Sequence, residues 1–549
     1  MYHSVNPGTA LPDWLVRIAG GAPLLFVAPH GGRSARAAAL DEASRKVNDL
    51  HTAELTIELA NRLGASAIVN RAEDRNRLDL NRVGDVRKGA PWFIDLLLEN
   101  VRRQIAEAGE ATLLFIHGWN AIQPCCDIGI GARVGGGTFV PVKQGVPTVP
   151  LRFLPRLAKF AEASRRGGID VTIGDRYPAA GRENVLQLFT ARFADDLDPR
   201  VRELGRLGAA GKIAAVQIEL AVPLRWPGAL RTRLIEAVAT FAESAPADAT
   251  LTMLEAVPAQ CLAPEQLALE FHDGEAGVGG FAAAERLVSG RRQGRFLICI
   301  GATRLGLFTG EDALPTTGDQ LRCGGLAWTR GAAGVITLEY EGPCLTFPRT
   351  DPFLDLEFGL SEAELSRLEA KLEWQPTAAA GSSGRHARIG RVEGRVRHDG
   401  RTATIRAAAT LEDGHRADPK RWQERRALRI PLGPKTFLSM SSHTDGDERV
   451  EGEILRDGRI EPLLSGRVSV RNSAGGLAPQ AMRVEVASRS GSLRVLGQVT
   501  HAIPVIRPAA EGRVLTFFGL ARFGAQGRVG FGTFEQSQRL GGKAKGTER

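Results

Sequence analysis

The sequence predicts an α/β domain with a mostly parallel or mixed sheet, followed by mainly antiparallel β domains. Three observations carry this. In the first half, short apolar runs alternate with amphipathic helical stretches, the signature of strand–helix–strand units around a sheet. After about residue 245 helical periods largely vanish, and alternating stretches broken by turn dipeptides take over. The chain has 549 residues, too many for one hydrophobic core.

The elements follow in order. "PLLFVAPH" (23–30) reads as a buried strand ending in a loop, and "DLHTAELTIELANRLG" (49–64) as a helix closed by glycine. "ASAIVNR" is a second strand, "PWFIDLLLENVRRQIAEAG" (91–109) a second helix, and "ATLLFIHGW" (111–119) a third buried strand. "PRLAKFAEASRRGG" reads as a helix, "IDVTIGD" as a strand, "KIAAVQIELAVPLR" (212–225) as a strand, and "GALRTRLIEAVATFAES" (228–244) as a helix. The expected division is a domain over 1–245, a linker over 246–265, β domains over 266–378 and 379–540, and a disordered tail over 541–549. In the second half only "LSEAELSRLEAKLEW" (360–374) has helical spacing. The HDG and RDG of "GRVEGRVRHDGRTATIRAAATLEDG" (390–414) and "ERVEGEILRDGRIEPLLSGRVSVR" (448–471) signal hairpins. "AAAGSSGR" (378–385) reads as a flexible seam between the β domains.

Composition excludes several classes of function. The fractions of hydrophobic (43%) and charged (24%) residues are those of a soluble globular protein. The net charge is +9, but the arginines are scattered among acids and aromatics make up only 6%, so no nucleic-acid partner is expected. No run approaches a membrane span, and the N-terminus lacks a basic region followed by an apolar one. The six cysteines form no C-x-x-C pair, and adjacent Cys125 and Cys126 are poor partners for each other. A reducing, cytoplasmic location is expected.

Two histidines end buried strands and precede glycine: His30 in "APHGG" and His117 in "FIHGW". Ligands of open α/β sheets bind beyond the carboxyl ends of strands, so the pair suits a metal or active site. Either Asp49 or His51, in "NDLH", could complete a zinc set of three protein ligands. Asp49 could instead cap the helix or orient a ligating imidazole, and His51 could be a surface residue. Glu219 closes an apolar strand, where a carboxylate needs a partner or a task such as general base. In "RAEDRNRLDLNR" (71–82), Arg75, Asn81 and Arg82 could clamp a substrate carboxylate, with Asp79 orienting Arg82. Arg71 and Arg77 read as solvated surface.

These motifs, in the order "PHGG", "D-x-H", "R-x-x-x-D-L-N-R", strand-end His-Gly and "VQIEL", resemble the N-formylglutamate amidohydrolase family over about residues 20–245. The resemblance implies a phosphorylase/hydrolase-like α/β fold, one Zn2+ held by His30, His117 and Asp49 or His51, and Glu219 activating a water. It implies a small-molecule carboxylate substrate held by Asn81 and Arg82 with Arg75 assisting, and a pocket wall with Arg182 and Asn184. The implied reaction is hydrolysis of the amide of a small N-acyl amino acid. Departures are Arg33, where the related carboxypeptidases carry a glutamate ligand, Phe115 in place of an acid, and Gly118 in place of serine. The segment "GWNAIQPCCDIGIGARVGGG" is a remodelled loop by the same comparison. The second half, with "FHDGEAGVGGF" (271–281) and "GFGTFEQSQ" (530–538), resembles the paired lipocalin-like domains of carotenoid hydratases. That resemblance implies an apolar ligand site in the β domains, with His272 and Glu535 as its first polar candidates. The alternative function is therefore an apolar-ligand binding protein carrying a degenerate hydrolase domain. Oligomeric state is not legible.

Overall fold

The computed structural model describes residues 11–33, 46–243, 265–286, 291–312, 320–350, 356–377, 388–414, 424–433, 435–445, 447–473, 477–508 and 513–540. Residues 246–264 of the expected linker, the seam at 378–385 and the C-terminal tail lie outside them. The chain divides into a unit over Met1–Ala37 and Arg45–Pro258 and a unit over Ala38–Ser44 and Ala259–Arg549.

The strands of the first unit are β1 (Leu15–Ile18), β2 (Leu25–Ala28), β3 (Ser66–Asn70), β4 (Ala111–Gly118), β5 (Cys125–Gly129), β6 (Ala132–Gly135), β7 (Thr138–Pro141), β8 (Asp170–Ile173) and β9 (Ile213–Leu220). Its helices are α1 (Thr52–Leu63), α2 (Val83–Gly89), α3 (Pro91–Ala108), α4 (Leu154–Arg166), α5 (Pro199–Ala209), α6 (Val222–Arg225) and α7 (Ala229–Ala239). Seven strands form one sheet in the order β1-β3-β2-β4-β9-β5-β8, and β6 pairs with β7 apart from it. The centre, β3-β2-β4-β9, is parallel, whereas β1 joins β3 and β5 joins β9 antiparallel. The sheet is therefore mixed.

Parallel strands covered on both faces read as unbroken apolar runs, and β2 shows why. Phe26 and Ala28 enter one core with Leu55 and Leu59 of α1, Leu157 of α4 and Leu234 of α7. Leu25 and Val27 enter the opposite core with Val86 of α2, Leu97 of α3 and Leu204 of α5. Burying a side chain of this size contributes roughly 1.5–3 kcal/mol. The expected glycine stops hold: Gly64 and Gly109 end α1 and α3 in the left-handed conformation. The three central strands β2, β4 and β9 lead at their carboxyl ends into His30, His117 and Glu219.

In the second unit the strands are β10 (Glu265–Asp273), β11 (Val278–Arg286), β12 (Arg292–Ile300), β13 (Arg304–Asp312), β14 (Gln320–Cys323), β15 (Leu326–Arg330), β16 (Ile336–Phe347), β17 (Glu364–Pro376), β18 (Arg388–His398) and β19 (Arg401–Asp413). They form one antiparallel sheet, and pairing of β13 with β16 closes eight of them into a barrel. Nine further strands between Glu424 and Leu540 form a second sheet, a half-barrel. The helix expected over 360–374 is corrected here. Only α8 (Leu356–Glu362) is helical, and the rest is β17. Leu368, Ala370, Leu372 and Trp374 are buried while Arg367, Lys371 and Glu373 are exposed and Glu369 is half-buried, a period of two that fits a barrel wall. The two strands flanking 378–385, β17 and β18, pair within one sheet, and the change of sheet falls between Asp413 and Glu424. Both hairpin signals hold: Asp399–Gly400 and Asp457–Gly458 are two-residue turns with positive φ at both positions.

Candidate metal centre

His30 leaves β2 on a loop pressed against the segment after β3. A Cβ on Gly32 would meet the carbonyl oxygen of Glu73 at 1.9 Å, so only glycine permits that approach. The backbone N–H of Asp49 donates to the His30 carbonyl at 2.9 Å, tying the two residues together ahead of α1. Inside the domain, His30 Nδ1 lies 3.3 Å and His117 Nδ1 3.2 Å from the same atom, Asp49 Oδ2. All three side chains are buried. Asp49 Oδ1 is taken by the Arg75 guanidinium at 3.1 Å, and His30 Nε2 faces Asp79 Oδ1 at 2.6 Å.

These contacts fit a metal. A tetrahedral zinc with bonds of about 2.0–2.1 Å sets its ligand atoms roughly 3.3–3.4 Å apart. The ring of His30 is held from behind by a carboxylate, the partner that ligating imidazoles usually have. The buried His30–Asp49–His117 group could therefore hold a metal ion.

Protonation follows the same geometry. Burial alone would raise Asp49, but hydrogen bonds from His117 and His30 and the charges of His30 and Arg75 hold it well below the usual carboxylate range. Asp79 is also lowered against its burial, chiefly by His30. Burial pushes His117 down to about 4 despite the pull of Asp49, so its ring is neutral near pH 7. Glu219 is the opposite case. Burial and then the charge of Asp49 push it well above the usual range, with Arg75 and Arg225 opposing.

Glu219 stands directly across from His117 in the parallel pairing of β4 and β9. Its Oε1 accepts from Gln217 Nε2 at 2.8 Å. Gln217 Oε1 in turn accepts from Asn184 Nδ2 at 2.9 Å and Asn81 Nδ2 at 3.4 Å. The structure thus joins Asn81 and Asn184 to Glu219 through one buried amide. Asn81 Oδ1 is buried and unpartnered.

Other expected residues fall differently. Asp49, not His51, meets the two histidines. His51 has a left-handed backbone (φ 64°) and packs edge-on against Trp226, with ring centroids 4.3 Å apart. Asp49 does not cap α1, whose N-cap position is His51, with no side-chain cap. The expectation that Asp79 orients Arg82 is corrected, because Asp79 is engaged by His30. Arg82 is exposed, and its backbone bridges to Asn184. Arg182 is exposed on the same loop, and Arg33 is exposed beyond the glycines. Arg71 and Arg77 are exposed, as expected. Cys125 and Cys126 are both free. The remodelled segment after β4 supplies β5 and β6.

Two participants gave no clear sign in the sequence. Gln217 shares a face with Glu219, two residues away on β9; the motif "VQIEL" contains it, but the sequence assigns it no role there. Arg225 is fully buried and donates to the Leu50 carbonyl at 2.6 Å and the Trp119 carbonyl at 3.0 Å. A Cβ at position 118 would sit 2.5 Å from Arg225 Nη1. Gly118 therefore makes room for that guanidinium, a physical reason for glycine after His117.

The first unit is thus a sheet of mixed direction with helices on both faces and a buried two-histidine, one-aspartate group at its strand ends. No protein-family model matches the chain, and no curated protein matches it in sequence. Among solved structures, an N-formylglutamate amidohydrolase from Ralstonia eutropha JMP134 is similar at 15% identity and a TM-score of 0.27, over 42% of this chain and 95% of that one. A Nitrosomonas europaea protein assigned as AttH is similar at 13% identity and a TM-score of 0.36, over 52% of this chain and 99% of that one. Kievitone hydratase from Nectria haematococca is similar at 10% identity and a TM-score of 0.31, over 50% of this chain and 89% of that one. These are distant likenesses, and the chemistry is read from the side chains themselves. Among the described residues no helix is long and apolar enough to cross a membrane.

Proposed function

We propose that the first unit is a zinc-dependent amidohydrolase that cleaves the amide of a small N-acyl amino acid or a similar carboxylate. The observation that carries this reading is the convergence of His30, His117 and Asp49 beside a buried, protonatable Glu219. His30, Asp49 and His117 would hold one Zn2+, which when bound supplies polarisation of a carbonyl and acidification of a water. Glu219 is the proton carrier. As a carboxylate it would take a proton from the attacking water and return it to the leaving amine. Gln217 fixes one Glu219 oxygen as an acceptor, leaving the other for that exchange.

Arg82 is the substrate clamp in this reading, since Arg75 is already committed to Asp49. Asn81 presents its free oxygen nearby to a donor on the substrate. The test is elemental analysis of purified protein, with activity on N-acyl amino acids measured with and without a chelator. We expect about one zinc per chain in the parent, loss in His30→Ala and His117→Ala, and activity abolished by the chelator. Glu219→Gln should lower mainly kcat and Arg82→Ala should raise mainly KM. Equal zinc in the parent and both histidine variants would overturn the proposal.

A further inference from the structure

The interior wall of the eight-stranded barrel is apolar along most of its length. On β17 the buried face carries Leu368, Ala370, Leu372 and Trp374, and on β16 it carries Ile336 and Leu338. Where α8 leads into β17 the same face turns polar. Residues directly opposite each other in an antiparallel pair share a face. Cys344 is opposite Ser366, and His398 is opposite Leu368. Thr346, two residues after Cys344, completes the group.

The four side chains form a connected line. Ser366 Oγ lies 2.5 Å from Thr346 Oγ1, which lies 2.7 Å from His398 Nε2. Ser366 Oγ is also 3.4 Å from His398 Nε2 and 3.1 Å from Cys344 Sγ. On the far side of the ring, His398 Nδ1 faces Asp399 Oδ2 at 3.5 Å. That acid directly follows the histidine because the strand ends there in the left-handed Asp399–Gly400 turn. Arg304 Nη2 donates to the same carboxylate oxygen at 3.2 Å.

Hydroxyls and imidazole buried in an apolar wall need partners, and a purely structural plug would find them in one another. Two features exceed that need. Ser366 is half-buried, whereas Cys344, Thr346 and His398 are buried, so the line runs from a partly exposed hydroxyl to a buried ring. The ring has a hydroxyl hydrogen-bonded at Nε2 and a carboxylate within ion-pair reach of Nδ1, the ordering that lets an imidazole accept a proton from a nucleophilic hydroxyl. Burial lowers the pKa of His398 against the pull of Asp399, which keeps Nε2 available as an acceptor.

We propose that Ser366 is the nucleophile of a second acyl-transfer site, one that takes small carboxylic esters, with its proton carried through Thr346 to His398 and the ring positioned by Asp399. Ser366 Oγ forms a bond to the acyl carbon while its proton passes to His398 Nε2. The ester C–O bond then breaks, and the departing alkoxide takes the proton back from His398. Water repeats the sequence on the acyl-serine, releasing the carboxylic acid and restoring the hydroxyl.

The test is covalent labelling of the full chain with an alkyl fluorophosphonate, which forms a P–O bond to an activated serine and loses fluoride. Peptide mass spectrometry should place one adduct on Ser366, absent from Ser366→Ala. Thr346→Val and His398→Gln should label at least tenfold more slowly. Asp399→Asn keeps the left-handed turn, since asparagine tolerates it, and should also label more slowly while unfolding at the parent temperature. No adduct at Ser366 in the parent, an adduct that persists in Ser366→Ala, or parent-like labelling of Asp399→Asn would each overturn the proposal.

Discussion

Asp79 offers the sharpest test of the candidate metal centre, because it touches the back of His30 and neither of the other two candidate ligands. Its Oδ1 lies 2.6 Å from His30 Nε2 and accepts the Asn81 backbone N–H at 3.0 Å. Its Oδ2 meets the exposed Lys46, at 3.4 Å. If His30 Nδ1 binds zinc, Asp79 supplies the charge that fixes the ring tautomer and strengthens its basicity. Removing such a partner weakens metal binding by about 10–100-fold, or roughly 1.4–2.7 kcal/mol. Asp79→Asn keeps an oxygen for the Nε2 proton and loses only the charge, so a loss of about tenfold is expected; Asp79→Ala loses both and should approach a hundredfold. The assay is competition for zinc against a chelator of known affinity, with circular dichroism confirming the fold. Unchanged zinc affinity in both variants, with the fold intact, would refute the assignment of His30 as a ligand held from behind.

Two further outcomes follow from the geometry. Glu219 has a raised pKa, so the folded state holds a proton that the unfolded chain releases, and its presence costs increasing stability as pH rises from the ordinary carboxylate value through the folded one. Metal-free Glu219→Gln should therefore melt higher than the metal-free parent at about pH 8 and close to it at about pH 4; a gain at the lower pH alone would contradict the shift. Gly118→Ala would place a methyl 2.5 Å from Arg225 Nη1 and 3.0 Å from Asp49 Cβ. Overpacking of this kind costs about 1–3 kcal/mol, visible as a lower urea midpoint, and a midpoint equal to the parent's would show that Arg225 can move aside.

The sequence shows the central strands plainly because β2, β4 and β9 are buried on both faces and read as apolar runs. It does not show β1, four residues long, whose half-buried face carries no such run. It misleads at β17. Leu365, Leu368 and Leu372 fall at helical spacing among strong helix formers, yet the barrel wall selects the alternation of Leu368, Ala370, Leu372 and Trp374. At the centre, His30, His117 and Glu219 announce themselves by strand-end position. Asp49 and His51 could not be ranked, since two residues of spacing leave either side chain able to turn inward. The backbone decides it: left-handed at His51, it sends that ring to Trp226. Asp79 was invisible as a partner of His30 because a charge run looks the same whichever histidine folds beneath it. The Ser366 group was equally hidden, for it depends on the register of three strands.

The facing of His117 and Glu219 across β4 and β9 has a consequence for how this centre can vary. Both residues belong to a ladder of backbone hydrogen bonds, so their separation is set by the interstrand spacing of about 4.8 Å and not by any loop. Insertions in the connections between these strands leave that spacing unaltered. Under the proposed function, substrate preference is then free to drift with the loops that carry Arg82 and Asn184, while the distance between the His117 ring and Glu219 stays constant under changes that would dismantle a centre built on loops alone.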